Sequence, residues 1–288
     1  MGYSGRYHAA SLAAVFLALA VGILIGVGFG DDLIQGTAED LERSLESDLD
    51  EARQQAAEAE AELARERETS DLLYPAVVGD RLDRMRVAII ALGSLPEGVS
   101  TNIEQALEPT GATLSEVAVV SEPPDTEEAV NALAGARASA LSRGEGLELA
   151  AKRAGLALAE GAPRFDALRA ALLSRYSGQP EETDAAVLVR ERPAELTSRE
   201  SEDTDRLEAG MVEGLRRAEI TLVGVERSDA ESSSIAAFSD QDLSSVDSVD
   251  LISGRVALVL ALDGAEGTFG VKETADRLLP ELLPPASG

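Results

Sequence analysis

The side chains of this chain that can do chemistry are overwhelmingly carboxylates and guanidiniums. Asp and Glu number 53 against 25 Lys and Arg, a net charge of −28, with one His and no Cys. No thiolate is therefore available as a nucleophile or soft-metal ligand, and no disulfide holds the fold. The lone His8 sits at the N-terminal end, on the cytoplasmic side of the membrane span predicted below, where it cannot serve as base for a serine of the external domain. A zinc or copper centre draws on clustered His, Cys or Met, and beyond Met1 the methionines are Met85 and Met211, which read as core. Asp240, Asp242, Asp247 and Asp250 fall close together, as a calcium loop requires. They lack the EF-hand spacing and read as a solvated acidic surface. Paired carboxylates can run hydrolysis, but no spacing here singles out a pair. The patterns GxGxxG, GxxxxGKS/T and GxSxG do not occur. The expectation is a protein that is not an enzyme, with no catalytic, metal or cofactor-binding residue and no cofactor. So anionic a surface also speaks against nucleic acid as a partner.

What remains is a crevice. Open parallel sheets bind ligands outside the carboxyl ends of their strands. The predicted strand ends carry Gly93 and Ser94, Arg190, and Glu226, Arg227 and Ser228, a candidate ligand or partner site.

The elements that must position these residues follow from hydrophobic patterning. An apolar run at 86–92 predicts a buried strand. A helix follows, opened by Thr101 and Glu104 as a capping box and closed near Gly111, and then a strand at 113–120. That βαβ unit favours a parallel sheet. Helices are predicted near 126–141, 146–159 and 164–176, a strand at 185–190, a helix at 201–218, and strands at 220–226 and 246–251. Residues 255–262 read as strand or buried helix, and Ser253 as a cap with Gly264 as a stop favours helix. A last helix is predicted near 271–279, after a shaped turn at 267–270. The sum is an α/β fold, a Rossmann-like domain with a mainly parallel sheet over 81–284.

Ahead of it, residues 9–30 contain no charge and one polar side chain, Ser11. A helix of that length is roughly 33 Å long, matching a bilayer core of about 30 Å. The expectation is a single N-terminal transmembrane helix that binds the membrane, with residues 1–8 as a short cytoplasmic tail. Arg6 before the span and Asp31 and Asp32 after it place the domain outside the cell membrane. Ala14, Ala18, Gly22, Gly26 and Gly30 recur every fourth residue, a face on which two helices can approach closely. From 31 to 74 the pattern becomes charged and helical, a predicted coiled-coil stalk with a seam of Leu41, Leu45, Leu49, Ala52, Ala56, Ala59 and Leu63. Span and stalk together predict a homo-oligomer, in the simplest case a dimer. The alternative is one amphipathic helix folded against its own domain.

The opening Arg6-Tyr7-His8, the run from Ser11 to Gly22 with Gly26, the strand at 87–92, the segment Val246-Asp247-Ser248-Val249-Asp250, and the stretch 254–262 with 267–270 resemble the actinobacterial copper transport protein B family (MctB-like) over nearly the whole chain. The resemblance implies an envelope protein of copper homeostasis or efflux, possible as an oligomeric channel. Copper as a partner rests on that resemblance alone. Some relatives are linked instead to cell separation and the control of peptidoglycan hydrolysis. That implies the alternative of a non-catalytic dimeric scaffold holding an extracytoplasmic protein partner.

Overall fold

A computed structural model describes residues 5–133, 141–162 and 165–281, and within those ranges the side chains of residues 11–26 and from 43 onward. The chain forms two compact units, Met1–Glu68 and Thr69–Gly288. The first is helix α1, which spans Gly5–Val78 and continues into the second.

The transmembrane helix predicted over 9–30 is corrected, because among the described residues no helix is long and apolar enough to cross a membrane. The helix does not end with the apolar stretch. No proline interrupts it before Pro75, so it continues through Asp31 and Asp32 into charged sequence. Pro75 does not stop it either, since α1 reaches Val78 and the Gly79 amide donates to the Pro75 carbonyl at 2.9 Å.

The second unit is a seven-stranded sheet in the order β3-β2-β1-β4-β5-β6-β7. The strands are β1 Arg86–Gly93, β2 Thr113–Val120, β3 Leu173–Gly178, β4 Ala185–Glu191, β5 Thr221–Val225, β6 Ser244–Val246 and β7 Thr268–Phe269. The sheet is mixed, because β3 pairs antiparallel to β2 while the other pairings are parallel. Residues 164–176, predicted as helix, divide into the short α5, Asp166–Leu172, and that edge strand. The chain runs outward from β1 to β2 and β3, then returns to place β4 on the other side of β1. The strand order therefore reverses between β1 and β4, where sheets of this kind open a crevice.

Two apolar layers flank the sheet. On one side Ile89, Val187 and Val223 pack with α2 (Val99–Leu107), α8 (Ile252–Leu262) and the last turns of α1 through Tyr74 and Val78. On the other, Ile90, Leu188 and Leu222 pack with α3 (Thr126–Ala132), α4 (Arg143–Ala159), α6 (Ser198–Arg217) and α7 (Ile235–Ser239). Each buried Leu, Ile or Val stabilises the fold by about 1.5–3 kcal/mol. Residues 255–262 are helical, within α8. The helix expected at 271–279 does not form, because its first amides are taken elsewhere.

Glu116, 2% exposed on β2, lies inside this second layer. The Tyr176 hydroxyl donates to its Oε2 at 2.6 Å. Burial pushes its pKa up from 4.5 to about 7, against the opposing pull of that hydroxyl and of Arg169. The native state thus prefers the protonated acid. Its contribution is fully present below about pH 4.5 and is lost as pH rises through about 7. Glu116→Gln should remove that part of the pH dependence and raise stability above pH 7 by about 1–3 kcal/mol, read from urea unfolding at pH 5 and pH 8.

Candidate functional site

A cleft of about 750 Å³ opens at the carboxyl ends of β1, β4 and β5. Its floor includes Val99, Val189 and Val225, and its rim runs through Glu97, Arg192 and Glu231. Of the six residues expected here, Arg190, Glu226 and Arg227 line it. Gly93, Ser94 and Ser228 hold its edges instead. Gly93, at φ +91°, lets β1 come so close to β4 that a Cβ would lie 2.2 Å from the Glu191 carbonyl. The next amide, Ser94, donates to that carbonyl at 3.0 Å, so the two strands stay joined to the mouth of the cleft. The Ser228 amide and hydroxyl donate to the two oxygens of Asp250 at 2.7 and 2.6 Å.

The walls are set by ion pairs. Arg227 holds Asp229 through both carboxylate oxygens, at 2.7 and 2.9 Å, and reaches across to the Glu97 carbonyl at 2.9 Å. The guanidinium keeps Asp229 below the ordinary carboxylate range. Arg190 and Arg192 converge on Glu208 of α6, whose side chain is 5% exposed. Arg190 Nε donates to both of its oxygens at 3.0 and 3.1 Å. Arg192 donates to Glu208 and, at 2.6 Å, to Asp205.

Glu226 is 5% exposed and organises the far wall. Its Oε1 accepts from the Ser233 hydroxyl at 2.9 Å and the Lys272 ammonium at 2.7 Å, and its Oε2 from the Ser234 amide at 2.6 Å. Lys272 also donates to the Arg227 carbonyl at 2.9 Å. Asp247, fully buried, accepts the amides of Val271 and Lys272 at 2.8 and 2.9 Å. Of the strand predicted over 246–251 only Val246 is in β6, and 247–251 form a turn in which the Leu251 amide donates to the Ser248 carbonyl at 2.9 Å. Sequence reading missed Lys272, Arg192, Glu208 and Glu122, and it took the buried Asp247 for part of a solvated acidic surface. One signal pointed to Lys272, which is one of only two lysines among 25 basic residues.

Ser233 faces a carboxylate already paired with a lysine, which is a poor general base. Among the described residues no group of three or more His, Cys, Asp or Glu is placed to hold a metal. Met211 is fully buried in the layer with α4 and α6, and Met85 packs, partly buried, against the opposite layer. Asp247 and Asp250 spend their oxygens on the backbone and on Ser228. What the cleft offers is recognition, with apolar floor and charged rim held in fixed positions.

On α1, Ala14, Ala18, Gly22 and Gly26 are exposed, as are Ala52, Ala56 and Ala59. Leu45, Leu49 and Leu63 are 59%, 50% and 46% exposed. Gly30 and Leu41 lie outside the described side chains.

The family described as "Copper transport outer membrane protein, MctB" matches residues 3–280. The chain belongs to the MctB family. The resemblance carried by the N-terminal segment, the 246–250 segment and the 267–270 turn is thereby borne out, and the structure gives those last two a role. Asp247 and Gly270 meet where the loops after β6 and β7 join, and Asp250 ties them to Ser228. Members of the MctB family carry a copper-transport description and an outer-membrane one. No curated protein matches the chain.

Proposed function

We propose that this MctB-family protein serves copper transport in the cell envelope as a non-catalytic assembly component. Its stalk pairs it with a second copy, and its cleft takes a segment of an envelope protein partner. The observation that carries this reading is the cleft where the strand order reverses, rigidly walled and lined for recognition. Copper(I) prefers thiolate, thioether or imidazole ligands. The second unit has no Cys or His, and its methionines face the core. Copper is then the cargo of the system, held by the partner. Pairing is supported by Leu45, Leu49 and Leu63, which recur on one helix face and lie open.

Two measurements test it. In the first, the purified full chain titrated with copper gives no saturable heat, while a deletion strain shows altered copper tolerance. A stoichiometric copper site, or unchanged tolerance, overturns the assignment. In the second, the full chain sediments as a dimer and Leu45→Asp/Leu49→Asp as a monomer, with a fall in association of at least about a hundredfold for two buried charges. A monomeric parent chain overturns the pairing.

A further inference from the structure

Glu122 lies in the loop 121–125 between β2 and α3. Both of its carboxyl oxygens are buried, and neither has a hydrogen-bond partner among the described residues. Such a group costs stability unless something satisfies it. Its Oε2 sits against Gly93, 2.9 Å from where a Cβ would be. Glu208 of α6 is the carboxylate beside it.

The charges around it are already balanced. From β4 comes Arg190, from the loop just after it Arg192, and from α6 come Glu208 and, on the far side of Arg192, Asp205. Two guanidiniums face two carboxylates, so a third negative charge at Glu122 has no counterion. The nearby acids are engaged elsewhere. Asp203 accepts the Thr126 hydroxyl at 3.0 Å and lies 3.6 Å from Arg206, while Asp125 caps α3. Burial first, and the charge of Glu208 second, raise the Glu122 pKa to about 8 against the pull of Arg192 and Arg190. A neutral Glu122 has a hydroxyl to donate, and Glu208 can accept it.

The loop has few other ties. Ser121 donates its amide to Leu172 at 2.8 Å, and then Pro123 and Pro124 offer no N–H at all. We propose that Glu122 and Glu208 share one proton, that this proton fastens the 121–125 loop to the Arg190–Arg192 clamp, and that its loss frees the loop. The clamp is complete through neutral pH and opens as pH rises through about 8. Because Arg190 and Arg192 also line the cleft, one of its walls is proton-controlled. The device stands whether or not a partner binds there, and its readouts need neither partner nor copper.

Hydrogen exchange on the full chain tests it, with rates corrected for intrinsic base catalysis and β4 as the internal reference. Amides of residues 121–127 lose about tenfold in protection between pH 7 and pH 9, as one lost proton-linked contact predicts. In Glu122→Gln, neutral at every pH, their protection does not change. A Glu122→Gln protein that loses protection in step with the parent overturns the proposal. Should that variant not fold, the carboxyl infrared spectrum decides, taken in a Glu116→Gln background to remove the other raised carboxyl among the described residues. A protonated-carboxyl band present at pH 7 and bleached near pH 8 upholds the shared proton, and its absence at pH 7 overturns it.

Discussion

Replacing Glu226 by Ala lowers the unfolding free energy by about 3–5 kcal/mol, the cost of stripping a buried ion pair of one member. The Lys272 ammonium, 20% exposed, loses the carboxylate that holds it at 2.7 Å, and the Ser234 amide loses its acceptor. For a unit of this size the expected fall in melting temperature is roughly 10 °C, followed by far-ultraviolet circular dichroism. The loss belongs to the orphaned charge more than to the missing contact. Glu226→Leu/Lys272→Met should therefore be more stable than Glu226→Ala by more than half of that loss, since an apolar pair of similar volume often replaces a buried ion pair at little cost. If the double variant is less stable than Glu226→Ala, the ammonium is not what is stranded.

Gly270→Ala is expected to cost about 3 kcal/mol or more, because two mechanisms act at once. Gly270 has φ +143°, and its added Cβ would lie 1.8 Å from Asp247 Oδ1 and 2.2 Å from Cγ. That carboxylate cannot retreat without releasing the amides of Val271 and Lys272 together. Gly264→Ala separates strain from overlap. Gly264 also has positive φ, +104°, but nothing lies within 4 Å of its Cβ position. It should cost only about 1 kcal/mol. Equal losses in urea unfolding of the two variants would mean that backbone conformation alone explains both.

The central strands were legible because they are short unbroken runs of Val, Ile, Leu and Ala with turn residues at their ends, as at Ile89 or Val187. The crevice was legible for a related reason, since locating strand ends locates the mouth of the sheet. β3 was not. Its sequence LSRYSG follows a run of helix-forming Ala, Leu and Arg, and only pairing with β2 makes it a strand. Residues 271–279 fail as a helix because Asp247, 24 and 25 positions earlier, takes their first amides. No local window contains that acceptor. Lys272 was invisible as a wall of the cleft for the same reason, 46 positions from Glu226. The membrane span rested on hydropathy over 9–30, and among the described residues no helix is long and apolar enough to cross a membrane.

Tyr74 is 8% exposed, Val78 fully buried, and the Tyr74 hydroxyl donates to the Ala106 carbonyl at 2.7 Å. The seam between the two compact units therefore falls inside a continuous helix, upstream of any loop. A recombinant fragment started at the first loop, after Val78, would be born with a hole in its interior. Trimming by a protease should stall in the turns just before Tyr74, and the smallest self-sufficient piece of this molecule begins near Thr69.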